Sequence, residues 1–145
     1  MRVPPVDIRV GDCQEVEGML AERIYEFNAK TTGHFDGESF AGVQRDASGA
    51  VIAGVSGYTW GGCCHVSYLW VAEEHRGMSV GSALLEAAEQ HAKDKGCVIA
   101  LLSSHDFQAP GFYRRMGYEE QGSVQDHPVG HRNVFYAKRL TPTGR

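Results

Sequence analysis

The sequence lacks any apolar run that approaches the roughly 20 residues needed to cross a membrane. Residues 1–5 are not followed by the apolar core of a signal peptide. A basic excess is also missing: the formal net charge is −4, whereas binding to a phosphate backbone needs a basic face. We therefore expect a single cytoplasmic domain over residues 1–145, with an ordered core over 6–139, that binds neither membranes nor nucleic acids.

Cysteine is scarce, and its spacing matches no zinc pattern. The chain has four cysteines, Cys13, Cys63, Cys64 and Cys97. Cys63 and Cys64 are adjacent on a predicted strand, so their side chains point to opposite faces and cannot readily share one metal ion. We expect free, partly buried thiols and no metal site.

Two common phosphate-binding motifs are absent as well. No GxxxxGK[ST] occurs, which excludes a P-loop nucleotidase. No GxGxxG opens a strand–helix–strand unit, which argues against a Rossmann dinucleotide site. A phosphorylated ligand would therefore need a different kind of site.

Apolar periodicity predicts strands interspersed with a few helices. Asp12 and Glu15 form a capping-box pattern before the first helix, and Gly61-Gly62 predicts a tight hairpin turn. Residues 28–39 are typical of a loop or a broken second helix. The predicted strands are 6–10, 40–45, 50–60, 63–71, 97–102, 118–124 and 133–138, and the predicted helices are 13–29, 80 to a cap at Gly96, and 110–116.

The order of these elements predicts a mixed α+β sheet with a parallel pair at its centre. A turn and a helix connect strand 63–71 to strand 97–102, and the right-handed crossover makes these strands parallel. Ligands of such sheets bind beyond the carboxyl ends of the strands, here Val71 and Ser103. The connecting helix carries an apolar stripe that we expect to lie on the sheet, made of Val80, Ala83, Leu84, Ala87, Ala88 and His91.

The turn within residues 71–85 is the predicted binding site. Backbone N–H groups at the start of a helix lack intrahelical partners and carry the positive end of the helix dipole. Gly77 and Gly81 allow a phosphate to approach the backbone, and Arg76 adds a formal charge. This stretch therefore predicts an anion site.

Two separated motifs resemble the GNAT superfamily of acyl-CoA-dependent N-acetyltransferases. The first is Val71-x4-Arg76-Gly77-x3-Gly81-Ser82-x-Leu84-Leu85, similar to that family's acetyl-CoA pyrophosphate loop. The second spans residues 107–118 and ends in Phe112-Tyr113-x3-Gly117-Tyr118. The chain departs from the family pattern at Ser79, commonly glycine, and at Asp106, often asparagine.

The resemblance implies a GNAT-like fold with a mixed, mainly antiparallel sheet of six to seven strands, splayed around the central parallel pair, and about four helices. It implies direct transfer of an acetyl group from acetyl-CoA to a primary amine, on a small molecule or a protein, without a metal. A homodimer is left open. The implied cofactor-binding residues are Trp70, Val71, Arg76, Gly77, Met78, Ser79, Val80, Gly81, Ser82, Gln108, Ala109 and Phe112.

The resemblance also implies roles in the chemistry. Tyr113 matches the family's general acid, which lies near the thioester sulfur. The carbonyl is polarised by a backbone N–H at a strand bulge, here near Trp70 and Val71. Counting back from Val71 along the strand gives Leu69, Ser67 and His65 on one face, with no carboxylate among them.

His65 stands where some family members carry a glutamate directed at the substrate amine, so the resemblance makes it the candidate general base. Its ordinary pKa near 6.5 also suits a base at neutral pH. The alternatives are a water chain or another residue. Four loop histidines compete with it: His34, His105, His127 and His131.

The acceptor pocket is expected between segment 28–38, the end of the second long strand and the loop at 126–132. Phe35, Tyr58 and Trp60 are the candidate substrate-binding aromatics. Asp36, Glu38 and Asp126 could attract a cation, or could be ordinary surface charges. The alternative functions are a non-catalytic acyl-CoA-binding or regulatory module and, more distantly, another phosphate-ligand-binding α/β protein.

Overall fold

The computed structural model describes residues 2–77 and 79–144, with only the backbone of Pro110. The chain forms two compact units, Met1–Phe35 and Asp36–Arg145. That the two make one domain over 1–145 stays a prediction. Across the described parts of the chain, no helix is both long and apolar enough to span a bilayer.

The first unit contains one long helix, α1, over Gln14–Thr32. The predicted capping box at Asp12 and Glu15 is wrong, because the N-cap residue is Cys13 and no side chain caps the helix. Asp12 lies one residue earlier, and its Oδ1 accepts a hydrogen bond from the Gln14 N–H at 3.2 Å. Gly33 ends the helix in the left-handed conformation, with φ 79°. The predicted strand at 6–10 is wrong. Its apolar alternation suits a strand, but strands form only where the backbone finds a ladder partner, and the strands of the sheet pair only with one another.

The second unit is a six-stranded sheet with two α-helices, which confirms the predicted mixed α+β fold. The sheet order is β1-β2-β3-β4-β6-β5. Only β3 and β4 pair in parallel, and the other neighbours are antiparallel. The bounds are β1 Glu38–Arg45, β2 Val51–Trp60, β3 Cys63–Val71, α2 Val80–Asp94, β4 Ile99–His105, α3 Pro110–Arg115, β5 Glu119–Gln125 and β6 Arg132–Arg139.

One face of this sheet packs against α2 and α3 and holds the core; we term it the helix-covered face. Apolar side chains alternate along the strands to fill it. Its strand members include Ala53, Val55, Cys64, Val66, Ala100, Leu102, Val134 and Tyr136. The other face carries the intervening residues.

The buried face of α2 differs from the predicted stripe. The buried residues are Leu84, Leu85, Ala88, Glu89 and Ala92, whereas Ala83 and Ala87 are exposed. Relative to the prediction, the helix is rotated about its axis so that the carboxylate of Glu89 faces the core. The prediction missed this because an acidic residue does not contribute to an apolar stripe.

A β-bulge interrupts β3 at Ser67. Ser56 of β2 pairs with Tyr68, and Gly57 pairs with Val66, so Ser67 is the extra residue. The expected bulge near Trp70 and Val71 is therefore placed too late in the strand. The opposing Gly57 has no room for a side chain, since a Cβ there would overlap the carbonyl oxygen of His65.

Candidate active site

The two central strands diverge into a V-shaped gap. β3 and β4 pair only at Cys63–Ile99, Cys64–Ala100 and His65–Leu101. Beyond His65, β3 continues to Val71 and β4 to His105 without pairing to each other. Both facing backbones therefore present N–H and C=O groups to whatever enters the gap.

The connection from β3 to α2 lies at the open end of the V, after Val71. A 3₁₀ turn at Glu73–His75 is followed by Arg76, whose Nε donates to the Val71 carbonyl at 3.0 Å. Gly77 has φ 79° and Ser79 has φ 64°, so both adopt the left-handed conformation. Met78, one of the predicted cofactor contacts, lies outside the described residues.

The N-terminus of α2 is not capped by a side chain. Ser79 is the N-cap residue, and its side chain makes no capping bond. The first intrahelical bond runs from the Ala83 N–H to the Ser79 carbonyl, so the N–H groups of Val80, Gly81 and Ser82 precede the helical ladder. The first turn contains no acidic residue. This end of the helix therefore presents backbone donors in a positive dipole field.

Helix α3 brings Phe112 and Tyr113 to the same region. A Cβ placed on Gly81 would lie 3.5 Å from Phe112 Cζ and 3.7 Å from a Val71 methyl, so the Phe112 ring packs on the first turn of α2. Ala109 is the N-cap residue of α3. The sequence-predicted cofactor residues of the loop and of α3 are thus neighbours.

Tyr113 is 8% exposed and lies among aromatic rings. Its ring centroid is 5.1 Å from that of Phe112, 5.6 Å from Tyr136 and 6.1 Å from Tyr118. Burial, with a smaller contribution from Tyr136, raises the pKa of Tyr113 above its usual value of 10. The phenol therefore keeps its proton at neutral pH.

His65 lies at the closed end of the V, the last β3 residue paired with β4. Its ring stacks on Tyr58 with centroids 5.1 Å apart, and the Ser67 hydroxyl is 3.4 Å from Nδ1. Burial lowers the pKa of His65 below 6.5, so the imidazole is neutral at pH 7. The bulge puts His65 on the face opposite Leu69, which corrects the count in steps of two back from Val71.

Gln108 and Asp106 organise the end of β4. The Gln108 Oε1 accepts bonds from the His105 N–H at 2.6 Å and the Ser104 hydroxyl at 3.2 Å. Asp106 Oδ1 accepts from His131 Nδ1 at 2.9 Å. Asp106 Oδ2 accepts from the Arg132 N–H at 3.0 Å. Asp106 therefore ties the loop between β5 and β6 to the end of β4.

A ring cluster continues from this tie. His105 stacks on Phe107 with centroids 5.4 Å apart, and its Nδ1 is 2.8 Å from the His127 carbonyl. Phe107 in turn meets His131 edge-on at 4.9 Å. Three of the four competing loop histidines are thus gathered in one cluster, while His34 belongs to the first unit.

The three predicted acceptor aromatics have different positions. Tyr58 lies over His65, as above. Trp60 pairs with Cys63 next to the Gly61-Gly62 hairpin, at the closed end of the V. Phe35 belongs to the first unit, and its acceptor role stays a prediction.

The candidate cation-attracting carboxylates are occupied within the protein. Asp36 Oδ1 accepts from the Gly61 N–H at 3.0 Å, and Asp126 Oδ1 accepts from the Gly130 N–H at 3.2 Å. Glu38 pairs with Lys95 at 3.1 Å. These contacts favour the interpretation that the three are ordinary structural or surface charges. Within residues 2–77 and 79–144, no group of three His, Cys, Asp or Glu could hold a metal ion.

Comparison with known proteins agrees with this architecture. The chain matches the acetyltransferase (GNAT) family model over residues 7–118. It is 38% identical to the blasticidin-S acetyltransferase of Streptomyces morookaense over 93 residues, which are 63% of this chain and 68% of that protein. The crystal structure of an acetyltransferase from Bacillus cereus ATCC 14579 matches with a TM-score of 0.77 and 37% identity, over 93% of this chain and 98% of that chain.

A solved structure from Agrobacterium tumefaciens matches with a TM-score of 0.85 and 27% identity, over 95% of this chain and all of that chain. The chain belongs to the GNAT acetyltransferase family. It is accordingly an acyl-CoA-dependent N-acetyltransferase, which confirms the sequence-based assignment of class and fold.

Proposed function

We propose that the protein transfers an acetyl group directly from acetyl-CoA to a primary amine in the gap between β3 and β4. The observation that carries this proposal is the continuity of the gap with the uncapped N-terminus of α2. An elongated donor could pair its amides with the divergent strands while its pyrophosphate meets the helix.

The pyrophosphate would be held by the N–H groups of Val80, Gly81 and Ser82, with Gly77 and Arg76 beside them. Ser79 adopts the φ that glycine would favour, at a cost of roughly 1–2 kcal/mol. The serine is therefore compatible with the shape of the loop. The N–H of Ser79 can still donate to the ligand. The departure from the family pattern therefore lowers the stability of the loop but removes no hydrogen-bond donor.

Tyr113 would act as the general acid for the leaving thiolate. Its raised pKa keeps the proton on the phenol, and the packing of Phe112 on Gly81 holds α3 beside the donor loop. A backbone N–H beside the bulge at Ser67 would polarise the thioester carbonyl, because fixed donors need no reorganisation during the reaction. Trp70 and Val71 would line the donor farther along β3.

His65 would accept the proton from the acceptor ammonium, directly or through water. Its lowered pKa leaves the ring neutral at pH 7 and ready to accept a proton. Tyr58 would orient the ring by stacking, and the Ser67 hydroxyl by its proximity to Nδ1.

A small-molecule amine is the favoured acceptor, because a relative 38% identical is a blasticidin-S acetyltransferase. A protein amino group is the second class. The cytoplasmic location expected from the sequence stays a prediction, as does the absence of a metal from the reaction.

The test is release of free thiol from acetyl-CoA with a panel of amines: blasticidin S, amino sugars, amino acids and a peptide with a free α-amine. Calorimetry with CoA runs in parallel. Turnover with a small amine supports the proposal. CoA binding without thiol release for any amine would support the non-catalytic alternative, and turnover with the peptide alone would move the acceptor to proteins.

A further inference from the structure

Helix α3 carries Tyr113 but is too short to hold itself in place. It spans six residues, Pro110–Arg115, whereas isolated helices shorter than about 12 residues are marginal in water. Its position must therefore come from contacts outside the helix.

The turn after α3 is fixed by Tyr118 and Gly117. The Tyr118 N–H donates to the Tyr113 carbonyl at 2.9 Å, and Gly117 has φ 92°, which favours glycine. A Cβ on Gly117 would lie 3.4 Å from Cε of Lys138, so the lysine stem passes across this turn. The backbone of Tyr118 thus contacts the residue that carries the reacting phenol.

A buried carboxylate on α2 holds the side chain of Tyr118. Glu89 is 4% exposed, and its Oε2 accepts from the Tyr118 hydroxyl at 2.7 Å. Its Oε1 accepts from Lys138 Nζ at 2.8 Å. Burial and the bond to Glu89 raise the pKa of Tyr118, so its hydroxyl stays protonated and keeps donating.

A buried ion pair usually stabilises a core no more than apolar packing does. Removing a carboxylate from water is costly, and well-packed apolar residues are often as stable in its place. The pair does, however, define one orientation for Tyr118, and the Tyr118 ring meets Tyr113 edge-on, with an interplanar angle of 78°. Directional bonds can set an orientation that apolar packing alone leaves loose.

We infer that Glu89 is a positioning residue for the reaction: through Tyr118, and together with Lys138, it fixes the orientation of Tyr113 at the acetyl donor. The inference rests on the proposed role of Tyr113 as general acid. Glu89 acts on α3 from the interior, through a hydroxyl and a backbone turn.

The test uses Tyr118→Phe, which removes one hydroxyl and keeps the ring and the Glu89–Lys138 pair. Small misplacements of a reacting group cost up to about 100-fold, so we expect kcat to fall about 10- to 100-fold. The KM for acetyl-CoA should change less than about twofold, because the donor loop is untouched. Glu86→Gln, an exposed site on the same helix, is the matched control and should leave both constants unchanged.

Two further variants separate positioning from general stability. Glu89→Gln keeps an acceptor for Tyr118 and should retain more of kcat than Glu89→Leu, which keeps none. In a Tyr113→Phe background, Tyr118→Phe should lower kcat no further, because there is no acid left to position. Circular dichroism melts confirm that each variant is folded at the assay temperature, and Tyr118→Phe carries the test if Glu89→Leu does not fold.

The outcomes distinguish this inference from the proposed function. If Tyr113→Phe lowers kcat but Tyr118→Phe does not, the positioning role of Glu89 is overturned and the acid role stands. If the two losses are fully additive, Tyr118 acts independently of Tyr113 and the inference also fails. If Tyr113→Phe leaves kcat unchanged, the acid role of Tyr113 and the positioning role of Glu89 are both overturned.

Discussion

Asp106 at the end of β4 binds His131 of the β5–β6 loop through a 2.9 Å contact between Oδ1 and Nδ1. The same carboxylate accepts from the Arg132 N–H, so both oxygens act as acceptors. An amide has one acceptor oxygen, so asparagine could accept from the Arg132 N–H but would meet His131 with its NH₂ group, which requires the ring tautomer without a proton on Nδ1. The carboxylate accepts at both positions and adds its charge to both contacts.

Replacing Asp106 with Asn should loosen the β5–β6 loop. That loop is expected to border the acceptor, so we predict that the KM for the acceptor rises about 5- to 20-fold. This is the effect expected from the loss of one or two charge-assisted hydrogen bonds. The KM for acetyl-CoA should change little. Steady-state kinetics with each substrate varied in turn measure both, and Glu86→Gln is the control; equal rises in the two KM values would contradict a role confined to the loop.

The pH dependence of stability offers a second measurement on this site. Partial desolvation would raise the pKa of Asp106, but the bonds from Arg132 and His131 outweigh it and lower the pKa below its usual 3.8. A lowered folded-state pKa contributes stability above the unfolded value that is lost as pH falls through the folded one. Asp106→Asn should therefore flatten the decline in urea midpoint below about pH 4.

Replacing Tyr113 with Phe should lower kcat by a factor of about 10²–10⁴, the usual range for a lost general acid. The ring remains, so its packing against Phe112 and Tyr136 is kept, and the Kd for CoA from calorimetry should change less than about threefold. Unchanged turnover would remove Tyr113 from the mechanism.

Replacing His65 with Gln should alter the acidic limb of the pH–rate profile. Burial lowers the pKa of His65 below 6.5, so the neutral, proton-accepting form predominates at pH 7 and kcat/KM should fall only as pH drops below about 6.5. The variant should lose that limb, and its kcat/KM at pH 7 should fall by a factor of about 10²–10⁴, the usual range for a lost general base. His127→Gln, at one of the competing loop histidines, is measured in parallel and should keep the limb. An acidic limb that persists in the His65 variant would assign the base to another residue.

Replacing Gly57 with Ala should destabilise the sheet by about 3 kcal/mol or more, because overpacking of this kind forces backbone movement. The new Cβ would meet the His65 carbonyl and lie 2.8 Å from the Phe40 ring. Gly42→Ala on β1 is the control: nothing lies within 4 Å of its Cβ position, so the change should be small or slightly stabilising. Urea unfolding measures both, and similar midpoints would show that the bulge region yields easily.

Most of the sheet could be predicted from local patterns. β3 has the predicted bounds, the Gly61-Gly62 hairpin is present, and the strand–helix–strand order correctly implied the parallel pair. These features depend on residues near one another in sequence, through periodicity and turn chemistry.

The bulge left a signal that strict alternation concealed. The helix-covered positions of β3 run from Cys64 and Val66 to Leu69 and Val71, a change from even to odd numbers that marks one extra residue. Reading that shift would have separated His65 from Leu69 and placed the bulge at Ser67 or Tyr68.

The polar contacts could not be predicted in the same way. Glu89 and Lys138 are 49 residues apart, and Asp106 and His131 are 25 apart, so only the fold brings them together. Glu89 lies four positions after Leu85 and so shares its helix face, which was a weak indication that this carboxylate is buried. Its partners were not visible in the sequence.

Within the described strands, β3 and β4 pair at three positions only, and one further backbone bond, from the Val98 N–H to the Gly62 carbonyl, joins the two halves of the sheet beside them. Past His65, each strand is in effect an edge strand located in the middle of a fold, with the risk of strand-to-strand self-association that such edges carry. A bound molecule that pairs with both edges would also close the sheet. Substrate occupancy would then protect this enzyme against aggregation, in addition to supplying the group it transfers.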